Sequence, residues 1–147
     1  MLNKILVPVD IATPLTTKAL LEAANEMALK FDSKIRIISV IPDYGMPLVA
    51  SFFPEHAQDQ IKEETRKKVT ELAEQYITTD VKISVIKGPK RVNAILKVVE
   101  ETTPDLVMLG CRRKNSRDEQ RLLGSTTLAV TDRAHCSVMV VRREAED

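Results

Sequence analysis

Apolar residues fall along this chain in two alternating kinds of run. Ile5-Leu6-Val7-Pro8-Val9, Ile35-Arg36-Ile37-Ile38-Ser39-Val40, Val81-Lys82-Ile83-Ser84-Val85-Ile86, Leu106-Val107-Met108-Leu109 and Val138-Met139-Val140-Val141 are short and rich in β-branched residues, which predicts five strands. Between them the apolar positions recur every three or four residues, as in Leu20, Ala24, Met27, Ala28 and Phe31. The sets Ile61, Thr65, Val69, Leu72, Tyr76 and Val92, Ile95, Leu96, Val99 do the same. Those are the stripes of amphipathic helices that must cover a sheet.

Strands alternating with helices require crossover connections, which make neighbouring strands parallel and the crossovers right-handed. The expected fold is therefore α/β, a doubly wound five-stranded parallel sheet with helices on both faces. Strands one and four are almost wholly apolar and suit central positions covered on both sides, whereas Lys82 and Ser84 interrupt strand three as at an edge. The order 3-2-1-4-5 satisfies these constraints. It reverses direction between strands one and four and opens a crevice at their carboxyl ends, where Asp10 and Gly110 fall. The segment from Pro42 to Pro54, with Gly45, Pro47 and Phe52-Phe53, has loop chemistry and reads either as a lid over the crevice or as a surface loop tucked down by its two Phe side chains.

At 147 residues and 44% apolar content, the chain is expected to form one domain over 1–147. Lys and Arg number 22 against 21 Asp and Glu, a formal +1, so no large field draws nucleic acid or an acidic membrane surface. The aromatic residues are Phe31, Phe52, Phe53, Tyr44 and Tyr76, without Trp; a flavin-carrying electron-transfer protein on the same sheet order would need more stacking surface. Cys111 and Cys136 have neither disulfide-framework nor metal spacing, and His56 and His135 stand apart from any candidate nucleophile. No stretch has the length of a membrane span, and Met1-Leu2-Asn3-Lys4 runs straight into a strand pattern, so a cytoplasmic location is expected.

Candidate chemistry concentrates between Gly110 and Gly124-Ser125-Thr126. The two glycines bracket a loop from a buried strand to a helix start. There, backbone N–H groups lack intrahelical partners and an anion can approach them closely. Residues Cys111 to Leu123 hold no further glycine and do not spell GxxxxGK[ST]. Ser125 and Thr126 are candidates for phosphate or Mg²⁺ contacts, and equally for helix caps, with capping favoured. Arg112, Arg113, Lys114, Arg117 and Arg121 offer guanidinium and ammonium groups to phosphate, partly offset by Asp118 and Glu119. The alternative is a solvated charged loop. Cys111, beside Arg112 and Arg113, is a weaker candidate for a reactive thiol, and Cys136 is expected to be a small core residue.

Six blocks in order resemble the universal stress protein family: Ile5-Leu6-Val7-Pro8-Val9-Asp10, Ser39-Val40-Ile41, Gly88-Pro89, Pro104-Asp105-Leu106-Val107-Met108-Leu109-Gly110, Leu122-Leu123-Gly124-Ser125-Thr126 and Ala134-His135-Cys136-Ser137-Val138-Met139-Val140-Val141. The resemblance implies the same doubly wound sheet, a dimer, and, in one branch of the family, ATP held by a G-x2-G-x9-G-[ST] loop; another branch lacks the loop and the nucleotide. Gly110 and Gly124-Ser125 match the ends of that loop, but its middle glycine falls on Arg113 or Lys114, and the loop is one residue longer. Carried over position by position, the resemblance places Asp10, Val40 and Leu109 near the base and ribose, with Pro8 and Val9 as further candidate nucleotide-binding positions. It places Gly110, Gly124, Ser125 and Thr126 about the phosphates, with Arg113, where the middle glycine would stand, as a candidate substitute contact. Repulsion keeps the Asp10 carboxylate from the phosphates, which leaves it as an acceptor toward adenine or ribose, or as a turn or cap residue before Thr13.

Val138 to Val141 is apolar yet predicted at a sheet edge, where pairing with its own copy would protect it; the resemblance points to the same strand as a homodimer contact. The resemblance thus implies a stress-response module that binds an adenine nucleotide, with a non-nucleotide interaction module as the alternative. No general base stands out for vigorous catalysis.

Overall fold

The computed structural model describes residues 2–42, 55–112 and 123–143. Its elements alternate as β1 (Lys4–Pro8), α1 (Pro14–Phe31), β2 (Lys34–Pro42), α2 (Glu55–Tyr76), β3 (Val81–Gly88), α3 (Arg91–Thr102), β4 (Leu106–Arg112), α4 (Ser125–Arg133) and β5 (Ser137–Arg143). The strands form one parallel sheet in the order β3-β2-β1-β4-β5, the order expected from their apolar content.

Alternation along the central strands divides the core in two. Ile5, Val7 and Val9 point to one face, where they pack with Leu20, Leu21, Ala24 and Ala28 of α1 and Val69 and Ala73 of α2. Leu6 points to the other, with Ile95, Val98 and Val99 of α3 and Val130 of α4. Leu106 and Met108 of β4 enter the first cluster, Val107 and Leu109 the second. Burying each Leu or Ile contributes about 1.5–3 kcal/mol, so both faces anchor the central strands and hold the loops at their carboxyl ends in fixed positions.

Helix boundaries follow local chemistry. Pro14 opens α1, where its missing N–H has no intrahelical partner to lose. α1 and α3 end at Asp32 (φ 53°) and Thr103 (φ 44°), both left-handed, with N–H groups bonded back to the Ala28 and Val99 carbonyls. A β-branched residue in that region is strained by on the order of 1 kcal/mol, and the buried Pro104 that follows blocks any continuation of the helix.

At the edges, Lys82 of β3 is exposed and Ser84 half-buried. Val138, Met139, Val140 and Val141 of β5 are all half-buried. Two helical positions depart from their predicted stripes: Phe31 is 51% exposed and Ile61 38% exposed. Phe31 is the last residue of α1. Cys136 is half-buried against the second cluster, and burial raises its thiol pKa. The segment after Pro42 up to Pro54, and the loop residues Arg113, Lys114, Arg117, Asp118, Glu119 and Arg121, lie outside the described residues.

Candidate functional site

β1 and β4 lie side by side, but the chain leaves them toward opposite faces: α1 packs on the first core cluster and α4 on the second. The crevice between these departures is a cavity of about 280 Å³, just below the roughly 300–1,000 Å³ of typical small-ligand pockets. One wall is the turn from β1 into α1, with Pro8, Asp10, Thr13, Thr16, Thr17 and Leu20. The other holds Leu109, Gly110 and the start of α4 from Gly124 to Thr127, while Arg91 and Ile95 of α3 close a side.

Asp10 organises the first wall. Its Oδ1 accepts from the Ala12 N–H at 2.9 Å, and its carbonyl accepts from the Thr17 hydroxyl at 2.8 Å, the Thr13 N–H at 3.1 Å and the Thr13 hydroxyl at 3.2 Å. Its Oδ2 accepts from Arg91 Nη1 at 3.0 Å. Both side chains are about one-third exposed, at 36% for Arg91 and 35% for Asp10, so the pair adds less than about 1 kcal/mol to stability. It nevertheless holds a cation on the wall of the cleft.

The two glycines differ in why they are glycine. A Cβ on Gly110 would stand 2.7 Å from Thr16 Cγ2, so side-chain absence is what lets α1 approach β4 this closely. Gly124 has φ −65° and ψ 161°, open to any residue, and a Cβ there would meet nothing within 4 Å. No described contact requires glycine at that position.

Gly124 is the N-cap of α4, and no side chain caps the helix. This corrects the expectation that Ser125 or Thr126 would cap: the helix starts one residue earlier, and their hydroxyls fall at the first two helical positions, past the cap site. The first intrahelical bond is from the Leu128 N–H to the Gly124 carbonyl, 2.9 Å. The N–H groups of Ser125, Thr126 and Thr127 therefore carry the positive end of the helix dipole into the cleft without a described partner.

The remaining candidates are spread. Pro8 and Leu109 line the cavity. Val9 is buried at 3% exposure in the first core cluster. Val40 is half-buried, packs against the second cluster and comes within 4.0 Å of the Cβ position of Gly88. Arg113 lies outside the described residues. Cys111 is buried. Sequence reasoning missed Arg91 and the threonines Thr13, Thr16 and Thr17. A signal for Arg91 was present: Lys90 and Arg91 put two cations at the start of a helix with no acidic residue in its first turn, against the helix dipole. Among the described residues no cluster of His, Cys, Asp and Glu could hold a metal ion, and no helix is long and apolar enough to cross a membrane.

An uncapped helix start and a carboxylate thus stand on opposite walls of a switch-point crevice in a doubly wound α/β protein. Residues 1–142 match the universal stress protein family, and the chain belongs to it. A universal stress protein of Methanocaldococcus jannaschii is 30% identical over 151 residues, covering 99% of this chain and 85% of the relative. Universal stress protein A homolog 2 of Coxiella burnetii is 30% identical over 144 residues, covering 95% and 94%. The fold is shared with the solved universal stress protein of Archaeoglobus fulgidus in complex with dAMP, at TM-score 0.64 and 16% identity over 96% of this chain and 99% of that one. It is also shared with an Arabidopsis thaliana family member with AMP bound, at TM-score 0.65 and 17% identity over 97% and 93%.

Proposed function

We propose that this protein binds an adenine nucleotide in the β1/β4 crevice and serves as a cytoplasmic, non-catalytic regulatory or protective module of the stress response. The observation that carries this is Gly124. Serine, threonine or aspartate would cap α4 better, and neither backbone geometry nor a neighbouring atom asks for glycine. A ligand that occupies the open space above the helix start does. The donors there are the N–H groups of Ser125 to Thr127, with the Ser125 and Thr126 hydroxyls beside them, which suits phosphate. Arg91 adds a guanidinium on the adjoining wall. Asp10, across the cleft, retains acceptor lone pairs for ribose or adenine after its bonds to Ala12 and Arg91.

ATP is the fullest form of this proposal. Asp10 is the one carboxylate among the described residues lining the cleft, so Mg²⁺ would rest on phosphate oxygens and the Ser125 and Thr126 hydroxyls. Self-association through β5 belongs to the same proposal: the strand is apolar, half-buried and at the sheet edge, where pairing with a second copy satisfies its outer backbone groups.

A second possibility, an interaction module without nucleotide, draws support from two observations. Both carboxylate oxygens of Asp10 already have partners, and Gly110 is explained by helix packing alone. Titration calorimetry with ATP, ADP and AMP, together with identification of any nucleotide that copurifies, decides between them. No heat of binding at millimolar nucleotide would leave the interaction module standing, and sedimentation would then test its dimer.

A further inference from the structure

A cavity of about 750 Å³ lies at the amino ends of β1, β2 and β3, across the sheet from the crevice and beneath the C-terminal end of α3. Its charged lining comprises four cations, Lys4, Lys34, Arg36 and Lys82, and two carboxylates, Asp80 and Glu101. Register puts the four cations on one face: Lys4 pairs with Lys34, Leu6 with Arg36, and Arg36 with Lys82. Leu6 packs against α3, so this is the α3 side of the sheet.

None of the four has an ion pair among the described residues. Arg36 is half-buried, and its hydrogen bond, to the Ser84 hydroxyl, is long at 3.5 Å. Two like-charge pairs stand directly opposite one another across strand boundaries, an arrangement that destabilises a sheet. The two rows are two residues apart along β2, about 6.6 Å, and neighbouring strands are about 4.8 Å apart.

From this we infer a second anion site, distinct from the crevice, for a soluble small molecule carrying two or more phosphate groups roughly 5–7 Å apart. One group lies between Lys4 and Lys34 and the other between Arg36 and Lys82, where Arg36 supplies a bidentate fork and the lysines supply point charges. The aliphatic stems of the lysines offer apolar contact to the body of the ligand. The bound anion relieves both cross-strand repulsions at once.

The probe is inorganic tripolyphosphate at low salt, followed by amide shifts in a ¹⁵N-labelled protein. Expected are saturable shifts at Lys4, Lys34, Arg36 and Lys82, abolished by high salt. In the double variant R36Q/K82Q the groove affinity falls by about tenfold or more, while shifts at Ser125 to Thr127 persist and the melting temperature holds or rises. Shifts confined to Ser125 to Thr127, equal affinity in the variant, a non-saturating drift of all surface lysines, or tighter binding of an oligoglutamate peptide would each overturn the inference. Loss of the crevice shifts alone bears on the nucleotide proposal and leaves this site standing.

Discussion

Replacing Gly124 with valine separates fold from function at one position. The backbone there, φ −65° and ψ 161°, is extended and hospitable to β-branched residues, and the new Cβ meets no atom within 4 Å. The remaining cost is that of a poorer N-cap, about 0.5–1 kcal/mol. With a urea m-value of roughly 2 kcal/mol/M, the unfolding midpoint falls by about 0.5 M or less. Binding responds differently, because the branched side chain stands over the N–H groups of Ser125 to Thr127. Losing two hydrogen bonds to a charged phosphate, at about 1.5 kcal/mol each, weakens binding by about 3 kcal/mol, or more than about a hundredfold in Kd. Calorimetry with ATP, run beside urea unfolding followed by circular dichroism, reads both effects. A midpoint drop beyond about 1 M refutes the claim that the space is open. An intact midpoint with unchanged affinity refutes the claim that the helix start holds the phosphates.

Gly110 should behave in the opposite way: Gly110→Ala overpacks against Thr16 Cγ2 at 2.7 Å and costs about 1–3 kcal/mol. Adding Thr16→Ser, which deletes that methyl, should recover most of the loss in a double-mutant cycle; additivity would show that the contact is not the cause. Thr17→Val removes the buried hydroxyl that donates to the Asp10 carbonyl at 2.8 Å and should lower unfolding free energy by about 1 kcal/mol, with no change if the Thr13 donors compensate fully. Burial raises the Cys136 thiol pKa, so less thiolate is present at a given pH, and alkylation of Cys136 by iodoacetamide at pH 8 should be slower than that of free cysteine. The rate should keep rising at pH values where free cysteine has levelled off; a profile matching free cysteine would contradict the shift.

Much of the fold was legible because apolar periodicity reports directly which faces are covered. The unbroken Ile5–Val9 and Leu106–Leu109 runs identify the central strands, and Lys82 and Ser84 mark an edge. The crevice followed from strand order, and Asp10, Gly110 and the Gly124 to Thr126 segment do line it. What remained hidden was which polar groups meet. Val9, beside Asp10 in sequence, points into the core because successive strand residues face opposite sides. Ser125 and Thr126 resemble caps until the helix start is located one residue earlier.

By itself, then, the order of apolar and polar residues determined the elements, the layers, the central pair of strands and the place of the crevice, since each depends on hydrophobic burial, which is local and additive along a face. Tertiary structure alone decided that Arg91 reaches Asp10, that Gly110 exists to admit Thr16, and that Lys4, Lys34, Arg36 and Lys82 gather on one face. Those meetings depend on strand register and on the rotation and approach of packed helices, quantities that a single side chain's polarity does not encode.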